Sequence, residues 1–145
     1  MMIEYIKSCG FVAFKRVNGE NQYLIIKSRG GDVGFPKGHT EPGESEIQTA
    51  VRELKEETGA EVKIIPGFVR RIEYPLPHRT DTIKQSVYFL GECISDEIIR
   101  QECEVAEAVF LPYPEAMVRL TFKETKDILF DAEKFINGGN ADATT

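Results

Sequence analysis

Two periods of apolar residues run along this chain, and the places where one gives way to the other mark its elements. Residues 6–15 read as a strand rich in apolar residues. Asn18-Gly19 is a turn signal, and residues 23–27 read as the returning strand of a hairpin. Residues 62–65 and 68–74 read as two further strands, 83–93 as another and 105–111 as the last, with a proline-bounded loop over 75–81. The helical period appears twice. Ser45 with Gln48 forms a capping-box pattern at the head of a helix that runs to about Thr58 and stops at Gly59. Pro114 marks a helix start, and Thr121 with Glu124 offers a second capping box. The helix that follows puts Ile128, Leu129, Ala132, Phe135 and Ile136 on one face and ends at Gly138-Gly139. Strands, helix, strands, helix predict an α+β fold, a mixed sheet covered by helices.

Residues 28–44 interrupt this pattern with a long loop holding five glycines and two prolines. Long ordered loops in compact domains tend to carry function. The chain has no internal repeat and no low-complexity linker, and 145 residues suit one domain. We expect that domain over residues 1–137 and a flexible tail over 138–145. No apolar run approaches the ~20 residues of a membrane span, and the first residues read as a strand rather than a signal peptide. Cys9, Cys93 and Cys103 have no metal-ligand spacing and read as reduced thiols in a cytoplasmic protein.

The net charge of −6 argues against a nucleic-acid partner. Its distribution is more telling. Residues 38–61 hold seven acids and two bases, a charge of −5; residues 70–84 hold Arg70, Arg71, Arg79 and Lys84 against Glu73 and Asp81, a charge of +2. An acidic pole followed by a basic stretch suits a metal-plus-phosphate site, and equally a solvated surface.

Glu53, Glu56 and Glu57 stand at i, i+3 and i+4, on one face of the first helix. Three like charges there need a cation between them, and Arg52 and Lys55 point away from the centre of that face. A hard divalent ion with oxygen ligands fits, and Mg²⁺ keeps coordination positions for water and phosphate oxygens. Alone, the same spacing is equally that of a solvated glutamate-rich face.

The surrounding residues decide between these. Gly38, Glu44, Arg52, Glu53, Leu54, Glu56, Glu57, Gly59 and Ala60 follow G-x5-E-x7-R-E-U-x-E-E-x-G-U, with U apolar. A chance match at average residue usage is on the order of one in a billion per start position. The segment resembles the Nudix box at every defined position. That resemblance implies an α/β/α sandwich with the box as loop-helix-loop. It implies that Glu53, Glu56 and Glu57 ligate Mg²⁺ (or Mn²⁺), joined by the Gly38 carbonyl. It further implies that Arg52 orients a box glutamate and that Glu44 braces the loop. The implied activity is metal-dependent hydrolysis of a phosphoanhydride in a small nucleotide-like substrate, with Glu57 or Glu56 as candidate base. Glu104, just ahead of the last strand, is a candidate fourth acid from outside the box, both as ligand and as base.

Beyond the box, residues 9–136 look most like the asymmetrical diadenosine tetraphosphate hydrolases. Residues 9–14, the run 35–44, Tyr74, Lys84, Glu104 and residues 122–124 carry this. By that likeness Tyr74 and Phe122 stack an adenine, while Lys84 with His39 or Lys37 meets phosphate oxygens. His78 and Arg79 either meet phosphate or face water. Other Nudix substrates, such as nucleoside triphosphates, ADP-sugars or capped RNA, remain open, as does a non-catalytic nucleotide-sensing module. A substrate panel separates the first group, and loss of a box glutamate is the mark of the second. Nothing in the sequence speaks to oligomeric state.

Overall fold

A computed structural model describes residues 2–76, 78–95, 97–101 and 104–139. Its elements are β1 (Glu4–Val17), β2 (Glu20–Ser28), β3 (Val33–Gly34), β4 (Lys37–His39), α1 (Glu46–Thr58), β5 (Val62–Leu76), β6 (Arg79–Cys93), β7 (Val105–Pro112), α2 (Tyr113–Arg119) and α3 (Lys123–Lys134). A single π-helical turn, Phe135–Gly139, continues α3. The regular structure thus runs past the expected boundary at residue 137, and residues 140–145 of the expected tail lie outside the described residues, as does Cys103.

The seven strands form one sheet in the order β3-β2-β1-β6-β5, with β4 paired to β1 and β7 to β2. β1 and β6 run parallel, from Glu4↔Thr82 to Phe14↔Glu92, and the other pairings are antiparallel. This mixed sheet is the expected α+β architecture. Period-two alternation divides its side chains between two cores. Cys9, Phe11 and Ala13 of β1, with Leu24 and Val87, pack on Ala50 and Leu54 of α1. Val12 and Phe14, with Tyr23, Ile25, Tyr88 and Leu90, pack on Ala116 of α2 and Ile128, Leu129 and Ala132 of α3. Because β1 is covered on both faces, its middle reads as the continuous apolar run seen in the sequence.

The first helix begins and ends as expected. Ser45 Oγ accepts from the Gln48 amide at 3.2 Å and Gln48 Oε1 accepts from the Ser45 amide at 2.9 Å. Gly59 closes the helix at φ +75°, its amide donating to Lys55 O at 2.8 Å. The second capping box is not formed. Phe122 stands at the N-cap of α3. Thr121 instead clasps β3: its Oγ1 accepts from the Val33 amide at 2.8 Å and its own amide donates to Val33 O at 3.1 Å.

Two further differences concern strands. Residues 62–65 and 68–74 belong to one strand, β5, whose register against β6 breaks between Ile64 and Val69, with Gly67 at φ +93°. The glycine-rich loop contains β3 and β4. β4 comes close to β1 only because Gly10 has no side chain: a Cβ there would stand 2.6 Å from Lys37 Cβ. Among the described residues no helix is long and apolar enough to cross a membrane.

Candidate active site

The polar face of α1 is organised by Arg52. Its Nε donates to Glu44 Oε2 at 2.6 Å and its Nη2 to Glu44 Oε1 at 3.0 Å, a bidentate fork. Nη1 donates to Glu53 at 2.8 Å and to Glu56 at 3.1 Å, and Nη2 also reaches His39 O at 3.0 Å. This corrects the expectation that Arg52 turns away from the glutamate face, for the guanidinium swings back into the middle of it. Glu44 takes two more donors, the Glu41 amide at 3.0 Å and Thr49 Oγ1 at 2.9 Å. Arg52 first, then the Glu41 amide, hold the Glu44 carboxyl down at about 2. Arginine, carboxylate and loop backbone therefore lock β4 to the head of α1.

Glu53 lies directly on Gly38. A Cβ added to Gly38 would overlap the Glu53 carboxylate, so a side chain there would have to push that carboxylate aside. Burial pushes the Glu53 carboxyl up, against the opposing pull of Arg52. Glu57 is deeper, 6% exposed, and its Oε1 accepts the Lys37 amide at 3.0 Å. Burial above all, then the charge of Glu53, with Glu104 and Glu56 adding to it, pushes its carboxyl up to about 8. Glu56 is more open, its side chain 47% exposed beside Arg52. Four carboxylates thus repel one another with one arginine among them.

A cleft of about 400 Å³ opens over this cluster, lined by Gly38, His39, Glu53, Glu57, Lys84 and Glu104. Glu56 does not line it. A second cleft of about 420 Å³ shares Lys37, Glu57, Lys84 and Glu104 with the first, and adds Tyr74, Tyr88 and Phe122. A third, about 310 Å³, continues past Tyr74 and Phe122 to Glu73 and Glu124. Tyr74 (38% exposed) and Phe122 (51% exposed) are therefore cleft walls and not core. Lys37 lines all three clefts.

The basic stretch behaves otherwise. Arg70 pairs with Asp131 at 3.1 Å, Arg71 holds Glu46 through two bonds of 2.7 Å, and Arg79 pairs with Glu4 at 3.2 Å. Alternation along β5 sends Arg70 to the α3 side and Arg71 to the α1 side. Of the four bases in that run, only Lys84 lines the clefts. Ser86 and Tyr88, which sequence reading treated only as strand, lie on the face of β6 that carries Lys84. The signal for them was period two counted onward from Lys84.

A hard divalent cation fits this donor set in chemistry: carboxylate oxygens held in mutual repulsion beside a close-lying glycine backbone. Among the described residues no three acidic or imidazole side chains stand together as a ready-made ion cage. The fit is thus one of donor type and charge.

Known proteins resemble this chain in sequence and fold. The family model described as NUDIX domain matches residues 9–132. The chain belongs to the Nudix family and is a Nudix pyrophosphohydrolase. It is 32% identical over 143 residues to the asymmetrical bis(5'-nucleosyl)-tetraphosphatase of Mus musculus, covering 90% of this chain and 95% of that one. The Sus scrofa protein of the same name is 30% identical over the same shares. In structure it resembles the C. elegans Ap4A hydrolase binary complex with a TM-score of 0.83 at 23% identity, covering 92% of this chain and 99% of that one.

Proposed function

We propose that this enzyme hydrolyses diadenosine tetraphosphate unevenly, to ATP and AMP. The observation that carries the reading is the junction of two unlike clefts. A carboxylate-lined cleft over Glu53, Glu57 and Glu104 runs into one walled by the exposed rings of Tyr74 and Phe122, and Lys37 and Lys84 line the passage. An aromatic pair offers an adenine two faces on which to stack, and lysines are point charges suited to phosphate oxygens. A base clamped at one end sets which phosphorus lies over the carboxylates, and cleavage then falls to one side of the chain's midpoint. The two relatives named above carry an activity of that kind in their names.

Glu53, Glu56, Glu57 and Glu104, with the Gly38 carbonyl, are the groups that would hold Mg²⁺, or Mn²⁺ in its place. When bound, the ion neutralises phosphate charge and acidifies a water. The remaining work belongs to the chain. Arg52 keeps Glu53 and Glu56 oriented. Glu57 and Glu104, which line both the carboxylate cleft and the aromatic one, stand where an attacking water loses its proton, and one of them accepts it. Lys37, Lys84 and His39 draw the leaving phosphates along the passage. All box glutamates are present, which favours turnover over mere nucleotide sensing.

The test is a comparison of kcat/KM, with Mg²⁺, for diadenosine tetraphosphate, ADP-ribose, NADH and nucleoside triphosphates. The reading predicts the dinucleotide as the preferred substrate. A higher value for ADP-ribose or for a triphosphate contradicts it.

A further inference from the structure

Lys37 does two things at once, and the second depends on a residue with no part in the Nudix box. Its backbone amide holds Glu57, while its ammonium reaches the buried face of β6 beside Tyr88, which lines the two clefts that hold Tyr74 and Phe122. There Nζ donates to Ser86 Oγ at 3.3 Å and lies 5.9 Å from the centre of the Tyr88 ring. Ser86 is fully buried and Tyr88 is 1% exposed. Tyr88 lies two residues along the same face of β6. Tyr88 in turn is wedged against Phe35, ring centres 5.6 Å apart.

A lysine ammonium on four methylene groups is a flexible charge, and holding it still costs side-chain entropy. Here the cost is offset by a rigid sheet position. Ser86 supplies one acceptor from below, which leaves two N–H donors free to face the cleft. Without that acceptor the ammonium is surrounded underneath by the Tyr88 ring and the strand, and lacks a polar partner there. Lys84, two residues before Ser86 on the same strand face, brings a second cation to the same cleft.

We infer that Ser86 is a positioning residue: it fixes the Lys37 ammonium at the junction of the carboxylate and aromatic clefts, in the place where a phosphate of the substrate is received. The inference rests on the phosphate-binding role given to Lys37 above, but not on which nucleotide carries the phosphate.

The test uses ATP as the probe and follows its binding calorimetrically to the metal-free protein, alongside steady-state kinetics with Mg²⁺. Losing an oriented charge-assisted bond to phosphate predicts that Ser86→Ala weakens ATP binding and raises KM by about fivefold, with kcat within about twofold. Ser86→Thr, which keeps the hydroxyl, restores both. In a Lys37→Met background Ser86→Ala has no further effect, because the residue it positions is gone. Ser86→Cys, close to serine in size but a much weaker acceptor, shifts KM in the same direction and serves if Ser86→Ala does not fold. If Lys37→Met weakens ATP binding while Ser86→Ala and Ser86→Cys leave it at the parent value, the positioning role is overturned and the phosphate role of Lys37 stands. Equal effects of Ser86→Ala with and without Lys37 also overturn it. If Lys37→Met itself leaves ATP binding unchanged, both the inference and the phosphate contact it rests on fail.

Discussion

The carboxylate of Glu53 occupies the space where any side chain at position 38 would begin. Gly38 and Glu53 are thereby a matched pair: β4 and the Glu53 carboxylate, itself held by Arg52 at 2.8 Å, pack this closely because residue 38 has no Cβ. Gly38→Ala should displace either the strand or the carboxylate. Because the atoms met are the end of a flexible side chain and not backbone, the stability cost should stay at or below about 1 kcal/mol, while moving a ligand carboxylate should lower kcat at least ~100-fold. Urea denaturation and kinetics read the two effects separately. An alanine variant with parental stability and activity would show that the contact is not required.

Arg52 makes six hydrogen bonds with Glu44, Glu53, Glu56 and His39 that depend on the planar fork of a guanidinium. Lysine keeps the charge and loses the fork. Arg52→Lys is expected to lower kcat/KM at least ~10-fold, the usual scale for losing a group that orients metal ligands. Kinetics indistinguishable from the parent would remove Arg52 from its orienting role.

Glu57 is the most buried of the four carboxylates. Glu57→Gln removes a charge but little volume, so the fold should persist while kcat falls at least ~100-fold. The thermal midpoint of the metal-free protein should change little, because burial and the neighbouring acids already favour the uncharged carboxyl and the amide keeps an oxygen to accept from the Lys37 amide. Chelation with EDTA should abolish parental turnover and Mg²⁺ or Mn²⁺ should restore it. Activity within about threefold of the parent in the glutamine variant would disprove the assignment.

Much of this site was legible in the chain. The Ser45–Gln48 box and Gly59 mark α1 because capping is local chemistry between residues a turn apart. The glutamate spacing shows for the same reason. What stayed hidden depends on partners far away in sequence. β3 and β4 are two and three residues long and exist only through pairing with β2 and β1. Thr121 has the composition of a helix cap, yet Val33 takes both its hydrogen bonds. Arg70, Arg71 and Arg79 read as a phosphate track until Asp131, Glu46 and Glu4 are seen to hold them. No local pattern foretells which of two faces of a strand meets an acid from another element.

Glu46 links α1 to β5 through Arg71 and to β1 through Lys7 at 2.9 Å. The Arg71 fork first, and then Lys7, hold its carboxyl at about 2, below its ordinary 4.5. The folded value is the depressed one, so the stabilisation is complete above the unfolded value and is lost as pH falls from about 4.5 towards 2. Because both cations are substantially exposed, the contribution is small, at most about 1 kcal/mol. Glu46→Gln should lower the urea midpoint at pH 7, and the gap to the parent should close as the pH approaches 2. A gap that is constant across this range would show that the loss has nothing to do with the carboxylate charge.

The most direct measurement of the central claim is the identity of the products from diadenosine tetraphosphate. With Mg²⁺ present and heavy-oxygen water as solvent, the account predicts equal amounts of ATP and AMP, with the solvent oxygen in one product only. Two molecules of ADP, or no turnover of the dinucleotide while another nucleotide is cleaved, would contradict it.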